Sequence, residues 1–489
     1  MTDASHGDLD PALLRTHGTA LLDWLATYLT PGPEGAERFP VLAQVAPGAV
    51  RAALPASPPQ TAESLETILA DIDRVLIPAT THWNHPAFFA YFSISSSIPG
   101  ILGELLAAGL DSNQMLWRTA PAATELEEVT LDWLRQLLGL ESPWFGQIVD
   151  TASVAVLHAL ACARERAGYD VRQRGLTGRT DVPALRVYCS AHTHSSVDKA
   201  MIALGLGLEH LVKIPVDAAF RVDVEAMRAA IAADVAAGRR PIAIVGTVGT
   251  TSTSSVDPIP ALADLAAETG CWLHVDGAYG GSAAIVPELR YLLDGVDRAD
   301  SLVVNPHKWL FTPVDCTAFW VKDRALLKRA FSLVADYLVT PEQDTATNFM
   351  DYGVQLGRRF RSLKLWMVLR AFGADGLAER LRFHCELARD FAGMVHYAGD
   401  WEVVAPVPLA LVVFRFAPDG VAATTLDQWN LEIMAVVNAS GRSYLSHTVL
   451  DGRVVLRLAV GNLRTERRHV EQCWQALRTA AQAVRGAIG

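Results

Sequence analysis

At 489 residues, 51% hydrophobic and 19% charged, the chain can bury a large core and form more than one lobe. A formal net charge of −11 excludes nucleic acid and anionic membrane as principal partners, since neither would be attracted, and leaves a small-molecule ligand. Cys162, Cys189, Cys271, Cys316, Cys385 and Cys473 show no CxxC or histidine-rich spacing, so neither a metal centre nor a disulfide framework is expected. The opening MTDASHGDLD lacks a basic-then-apolar secretory pattern. The longest apolar stretch, 88–110, is interrupted by serines, Pro99 and Glu104, so no membrane span is expected and the location reads as cytoplasmic.

Along the chain, 9–29 carries Leu13, Leu14, Leu21, Leu22, Trp24, Leu25, Tyr28 and Leu29 at helical spacing. A Pro/Gly-rich connector (31–59) and a second amphipathic helix near 65–77 follow. This extended segment does not look able to fold alone, and wrapping a partner subunit is one use for it. From about 125, helical patterns alternate with short apolar strands at 185–189, 242–247, 272–275 and 302–304, the signature of a mainly parallel sheet covered by helices. Beyond 373 a helix-rich stretch precedes strands at 409–416 and 454–460 and a last helix from about 466. The expected organisation is an N-terminal helical segment (1–96), a large domain (97–372) and a small α+β domain (373–489).

Three segments carry chemistry. In CWLHVDGAYGG (271–281) a buried strand ends in Asp276, and the glycines after it permit close approach of other groups. Facing a pyridinium nitrogen at ~4 Å, that carboxylate would gain about 4 kcal/mol at an effective dielectric of ~20; the lesser alternative for the segment taken alone is a turn or cap aspartate. Lys308, in VVNPHKWLF (303–311), stands where a lysine could hold an aldehyde cofactor as a Schiff base, provided burial keeps it reactive. Its neighbours Asn305 and His307 could orient the strand end and donate to a phosphate. Thr151, Ala152 and Ser153 open a helical run (154–166), so their hydroxyls and N–H groups can cap the helix or bind a phosphate there. The usual nucleotide loops are absent, which favours a small phosphorylated cofactor.

These segments, together with HWNHPAFFAYF (82–92), APAATELEE (120–128), AHTHSSVDKA (191–200), VGTTSTSSVDPI (248–259), LGRRFRSLKLW (356–366) and SYLSHT (443–448), resemble the pyridoxal 5′-phosphate-dependent group II decarboxylases, and most closely the aromatic L-amino acid decarboxylases. The resemblance spans about residues 14–476. It implies an aspartate aminotransferase-like (fold type I) α/β domain with a mainly parallel seven-stranded sheet. It also implies a homodimer with active sites at the subunit interface, and decarboxylation of tryptophan, tyrosine, phenylalanine or hydroxylated forms to the arylalkylamine and carbon dioxide.

Residue by residue, the resemblance implies Lys308 as the Schiff-base lysine, Asp276 as the pyridine-nitrogen partner, Ala278 beside the ring, His194 stacked on the cofactor face and Thr251 near Asp276. Ala152, Ser153, Asn305 and His307 would hold the phosphate, with Thr151 opening that turn. Tyr337 matches the tyrosine of the family's catalytic loop, here about 331–352; a phenol with pKa ~10 keeps a proton to deliver to the substrate α-carbon. Phenylalanine at this place often accompanies the alternative outcome, oxidation to an aldehyde. A third reading is a non-catalytic scaffold. Trp83, Tyr91 and Phe92 resemble the aromatic wall of the substrate pocket, and SNQMLW (112–117) the part donated by the other subunit, with Met115 reaching in. Gly357 matches a glycine that accompanies indole substrates in plant relatives. Asp150 beside the phosphate turn, Ser93 and Ile94 after the Tyr-Phe pair, and Asn113 in place of an apolar residue depart from the family pattern. The basic run GRRFRSLK (357–364) is expected at an interface or in the core.

Overall fold

The computed structural model describes residues 7–141, 143–333, 338–342 and 345–486. By its internal contacts the chain divides into a larger unit, Tyr91–Arg415 with Arg457–Leu463, and a smaller one, Met1–Ala90, Phe416–Leu456 and Arg464–Gly489.

The larger unit is organised by seven strands: β1 (Phe145–Val149), β2 (Leu185–Ser190), β3 (Leu211–Ile214), β4 (Arg240–Thr247), β5 (Trp272–Asp276), β6 (Ser301–Val304) and β7 (Thr317–Val321). Their order is β1-β7-β6-β5-β4-β2-β3. The pairs from β3 to β6 are parallel, whereas β7 runs antiparallel to both β6 and β1. β4 to β7 are almost wholly buried, as expected of strands covered on both faces. Register sets Asp276 beside Thr247 on one side and Val303 on the other, at the C-terminal edge where such sheets hold their ligands.

The helix Ala152–Arg166 buries Ala155, Val156, Ala159, Leu160 and Cys162 in a cluster with Val187, Val245, Trp272 and Phe319. Emptying a position as large as Phe319 in such a core costs about 3–5 kcal/mol. Two turns at the site edge need glycine: Gly249 has φ +86°, and a Cβ at Gly280 would lie 2.6 Å from the Val248 carbonyl oxygen. The long helix Ser362–His396 breaks at Gly373, whose φ is 64°. In the GRRFRSLK run Gly357 and Arg359 are exposed, while the buried cations are paired: Arg358 with Glu127 (2.7 Å), Arg361 with Asp315 (2.9 Å) and Lys364 with Glu104 (2.7 Å).

In the smaller unit, the helix Pro11–Tyr28 is capped by Asp10, and the Tyr28 hydroxyl meets His82 Nδ1 at 2.9 Å. The helix anticipated at 65–77 is α-helical only over Leu65–Asp71, then widens to a π turn over Ile72–Leu76. Helices Ala423–Ala439 and Arg467–Gly486 also belong here.

All six cysteines are free and buried, and burial pushes their thiols up, to about 11 for Cys189 and about 12 for Cys316, Cys385 and Cys473. Among the described residues no helix is long and apolar enough to cross a membrane, and no cluster of three or more His, Cys, Asp or Glu could hold a metal ion.

Candidate active site

Lys308 follows β6 on a short helical turn, Pro306–Trp309, rather than on the strand itself; its N–H donates to the Asn305 carbonyl (2.9 Å). The turn swings Nζ to 5.5 Å from the centroid of the Phe92 ring. Phe92 stacks on Tyr279 (3.7 Å, 13° between planes), and Tyr279 on Trp309 (4.8 Å, 16°), giving the lysine a rigid aromatic floor. Burial lowers the Lys308 pKa and the Asp276 carboxylate opposes that fall. Asp276 is held from two sides: Val248 N–H donates to its carbonyl (2.8 Å) and Ala278 N–H to its Oδ1 (3.0 Å).

His194 joins the same group of charges. Burial depresses its pKa, Asp276 works against that and Lys308 with it. Nδ1 accepts from Ser196 N–H at 3.1 Å, so the neutral ring carries its proton on Nε2. The structure brings Lys308, Asp276, His194, Ala278 and Phe92 together.

At the phosphate end, Thr151 occupies the N-cap position of the helix Ala152–Arg166, yet its hydroxyl makes no capping bond, contrary to expectation. The reason is local: Asp150 Oδ1 takes the Thr151 N–H at 2.6 Å and also faces its hydroxyl at 3.4 Å. The Asp150 carboxylate is further anchored by Gln355 Nε2 (3.2 Å). The next two N–H groups, on Ala152 and Ser153, are first-turn donors with no carbonyl of their own helix to reach, a ready anion cradle.

His307 lies on the turn Pro306–Trp309. Burial, reinforced by Lys308, pushes its pKa down to about 4, and Nδ1 accepts from Cys316 N–H at 3.1 Å, so Nε2 carries the proton. That N–H faces the Asn305 amide at 3.3 Å, while the buried Asn305 Oδ1 is otherwise without a partner. Turning the amide pairs its oxygen with His307 and frees Nδ2 as a donor, which satisfies both groups. N–H donors for a phosphate, a carboxylate to accept from a protonated pyridine nitrogen and a buried amine, set along one sheet edge, fit pyridoxal phosphate.

One residue escaped the sequence reading. Arg457, on the strand Arg453–Ala459, is 3% exposed and donates to the carbonyls of Thr251 (2.7 Å), Ser252 (3.3 Å) and Tyr91 (3.3 Å). Its guanidinium lies 5.6 Å from the Phe92 ring, and burial lowers its pKa to about 10. It thus binds the turn carrying Thr251 to the strip carrying Tyr91 and Phe92. A lone arginine inside the apolar run VVLRLAV was the available signal.

Among the substrate-pocket residues, Tyr91 is half exposed with φ 54° and Phe92 is buried. Trp83 belongs to the smaller unit, where it stacks on Phe88 at 4.2 Å. Met115 packs with Leu116, Leu338 and Met350. Gly357 faces Asn113, whose Nδ2 would be 3.7 Å from a Cβ placed there. Tyr337 lies outside the described residues.

Comparisons with known proteins give the family. The model of the pyridoxal-dependent decarboxylase conserved domain matches residues 47–417. The chain belongs to the pyridoxal-dependent decarboxylases. It is 41% identical to tyrosine decarboxylase 2 of Arabidopsis thaliana over 97% of this chain and 88% of that protein. Phenylacetaldehyde synthase of the same plant is 39% identical over 97% and 96%. The crystal structure of Oryza sativa TDC with PLP and tryptamine superposes with a TM-score of 0.93 at 36% identity, covering 98% of this chain and 99% of that one. The decarboxylase is thus a carboxy-lyase of fold type I whose cofactor is pyridoxal phosphate.

Proposed function

We propose that this decarboxylase converts an aromatic L-amino acid to its arylalkylamine and carbon dioxide. The observation that carries the reading is the packing of Lys308 Nζ against Phe92, within the field of Asp276 and His194. The names of relatives that act on tyrosine, and of a structure holding tryptamine, support an aromatic substrate.

Bound pyridoxal phosphate supplies the electron sink for the pair left by the departing carboxylate. The remaining work falls to the chain. Ala152 and Ser153 N–H and Asn305 Nδ2 hold the phosphate, and His307 fixes the Asn305 amide in the orientation that does so. Lys308, its pKa lowered by burial, offers the amine that attaches the cofactor, and Asp276 keeps a proton on the ring nitrogen. His194 covers the ring face against water, Thr251 and Ala278 border it, and Tyr337 delivers its phenolic proton to the α-carbon. Tyr91, Phe92, Met115 and Gly357 surround the side chain of the substrate.

A homodimer in the cytoplasm fits this reading. The helix Ile98–Leu110 exposes Ile98, Leu102, Leu105, Leu106 and Leu110 along one face, an apolar stripe that a second copy would cover, and the segment 1–96 would wrap that copy.

The test is to incubate the cofactor-loaded protein with tryptophan, tyrosine, phenylalanine and their hydroxylated forms, measuring amine, carbon dioxide, aldehyde, ammonia and peroxide. Amine equal to carbon dioxide supports the proposal. Aldehyde with peroxide and ammonia would instead assign the second reading, which the phenylacetaldehyde synthase relative favours. No product from any of them overturns both.

A further inference from the structure

A cavity of about 540 Å³ opens between the end of the helix Ile98–Leu110 and the basic segment, with Asp111, Ser112, Asn113 and Gly357 among its lining residues. Its size suits a small aromatic molecule. The three arginines on its walls are each paired. Arg358 reaches Glu127 and the Ile148 carbonyl, Arg359 pairs with Glu104, and Arg361 with Asp315. Asp111 is exposed to solvent.

Asn113 differs from these. Its Oδ1 accepts the Arg358 N–H at 3.0 Å, and the neighbouring Gln114 N–H donates to the Arg358 carbonyl at 2.9 Å, so the two segments are laced and the amide cannot turn over without losing a bond. The Nδ2 group is thereby set as the donor end. Among the described residues its contact is the thioether of Met115 at 3.8 Å, a weak acceptor, and because Asn113 is exposed the rest of its donor capacity is open to water or to a bound molecule. Beside it, Gly357 leaves open the space that a side chain would fill.

We infer that Asn113 is a specificity-determining residue: its Nδ2 donates a hydrogen bond to a hydroxyl on the substrate ring, so that ring-hydroxylated aromatic amino acids are preferred over their bare counterparts. This rests on the aromatic decarboxylase reading and on the stretch around Met115 reaching the substrate. An apolar side chain at 113 would be indifferent to the hydroxyl or would strand it unpaired, whereas a fixed amide rewards it. The chemistry recognised is the phenolic hydroxyl, whether carried by a single ring or by an indole.

The test compares kcat/KM for tyrosine against phenylalanine and for 5-hydroxytryptophan against tryptophan, in the wild-type holoenzyme and in Asn113→Leu and Asn113→Val. The wild type should favour the hydroxylated member of at least one pair by about five- to tenfold, as one neutral hydrogen bond allows. Both variants should bring that ratio close to one while keeping amine formation from the bare substrate and the cofactor absorption band. The pair that responds tells the single ring from the indole. A wild-type ratio at or below one in both pairs, or a ratio unmoved by the substitutions, overturns the inference while leaving the decarboxylase reading intact. If neither variant folds, the wild-type ratio decides alone. Absence of amine from all four amino acids overturns both.

Discussion

The cofactor end and the Asn113 cavity are built on opposite plans. Around Lys308 nearly every group is held: Asp276 by two N–H donors, His194 by Ser196, His307 by Cys316, and the lysine by a stack of three aromatic rings. Around Gly357 there is open space and a single oriented amide. A reaction common to many substrates needs the first arrangement, because a misplaced acid or amine costs rate directly. Choice among substrates needs only the second, where one contact shifts a ratio by about tenfold.

The sharpest way to break the comparison is at its rigid end. Lys308→Ala should abolish turnover while leaving the far-ultraviolet circular dichroism unchanged; undiminished amine from this variant would remove the mechanism. Asp276→Asn should lower kcat by about 10³-fold, the equivalent of the ~4 kcal/mol that a carboxylate gains beside a ring N–H. Stopped kinetics with saturating cofactor would check it, and a loss below tenfold would show that the ring nitrogen has another partner.

Arg457→Met should cost about 10- to 100-fold in kcat/KM, because the Thr251 turn and the Tyr91–Phe92 strip lose their shared anchor. A shifted cofactor absorption band should accompany the loss, which a purely distant packing defect would not produce. At the open end the effect shrinks: Gly357→Ser should change the preference between indole and phenol substrates only a few-fold, leaving kcat for the better substrate nearly intact. A collapse of activity there would mean that the cavity is part of the rigid end.

Acid should separate the two ends as well. His274, His307 and His384 are buried neutral with pKa about 4, below the unfolded value of about 6.5. The unfolded chain therefore takes up protons first, so their contribution is complete above pH 6.5 and is lost as the pH falls toward 4, by at most about 3 kcal/mol each. Thermal melts across that window should show falling Tm, with a shallower slope for His307→Asn. The neutral Asn113 amide contributes no such slope, so the ring preference should hold over the same window wherever the protein stays folded.

The rigid end was legible in the sequence because its parts are local. A strand ending in Asp276 and a helix start at Thr151 each declare themselves within a few residues, whereas the short helical turn that carries Lys308 beyond β6 does not. The mainly parallel sheet was legible for the same reason, through runs such as WLHVD and RPIAIVGT. β1 and β7 gave less: the antiparallel pairing of FGQIV with TAFWV is a tertiary choice. Arg457 could not be placed because its partners are backbone carbonyls, which have no sequence signature. The Asp150 bond that displaces Thr151 from its capping role, and the approach of Asn113 to Gly357, depend likewise on segments far apart in the chain meeting in the fold.

The six buried cysteines carry a practical consequence. With every thiol shielded from solvent and burial holding the sulfurs in their protonated form, alkylating reagents should find no ready target in the native protein. A single cysteine introduced on the surface would then be the one reactive handle, so a fluorophore or spin label could report on the protein without first removing any native residue.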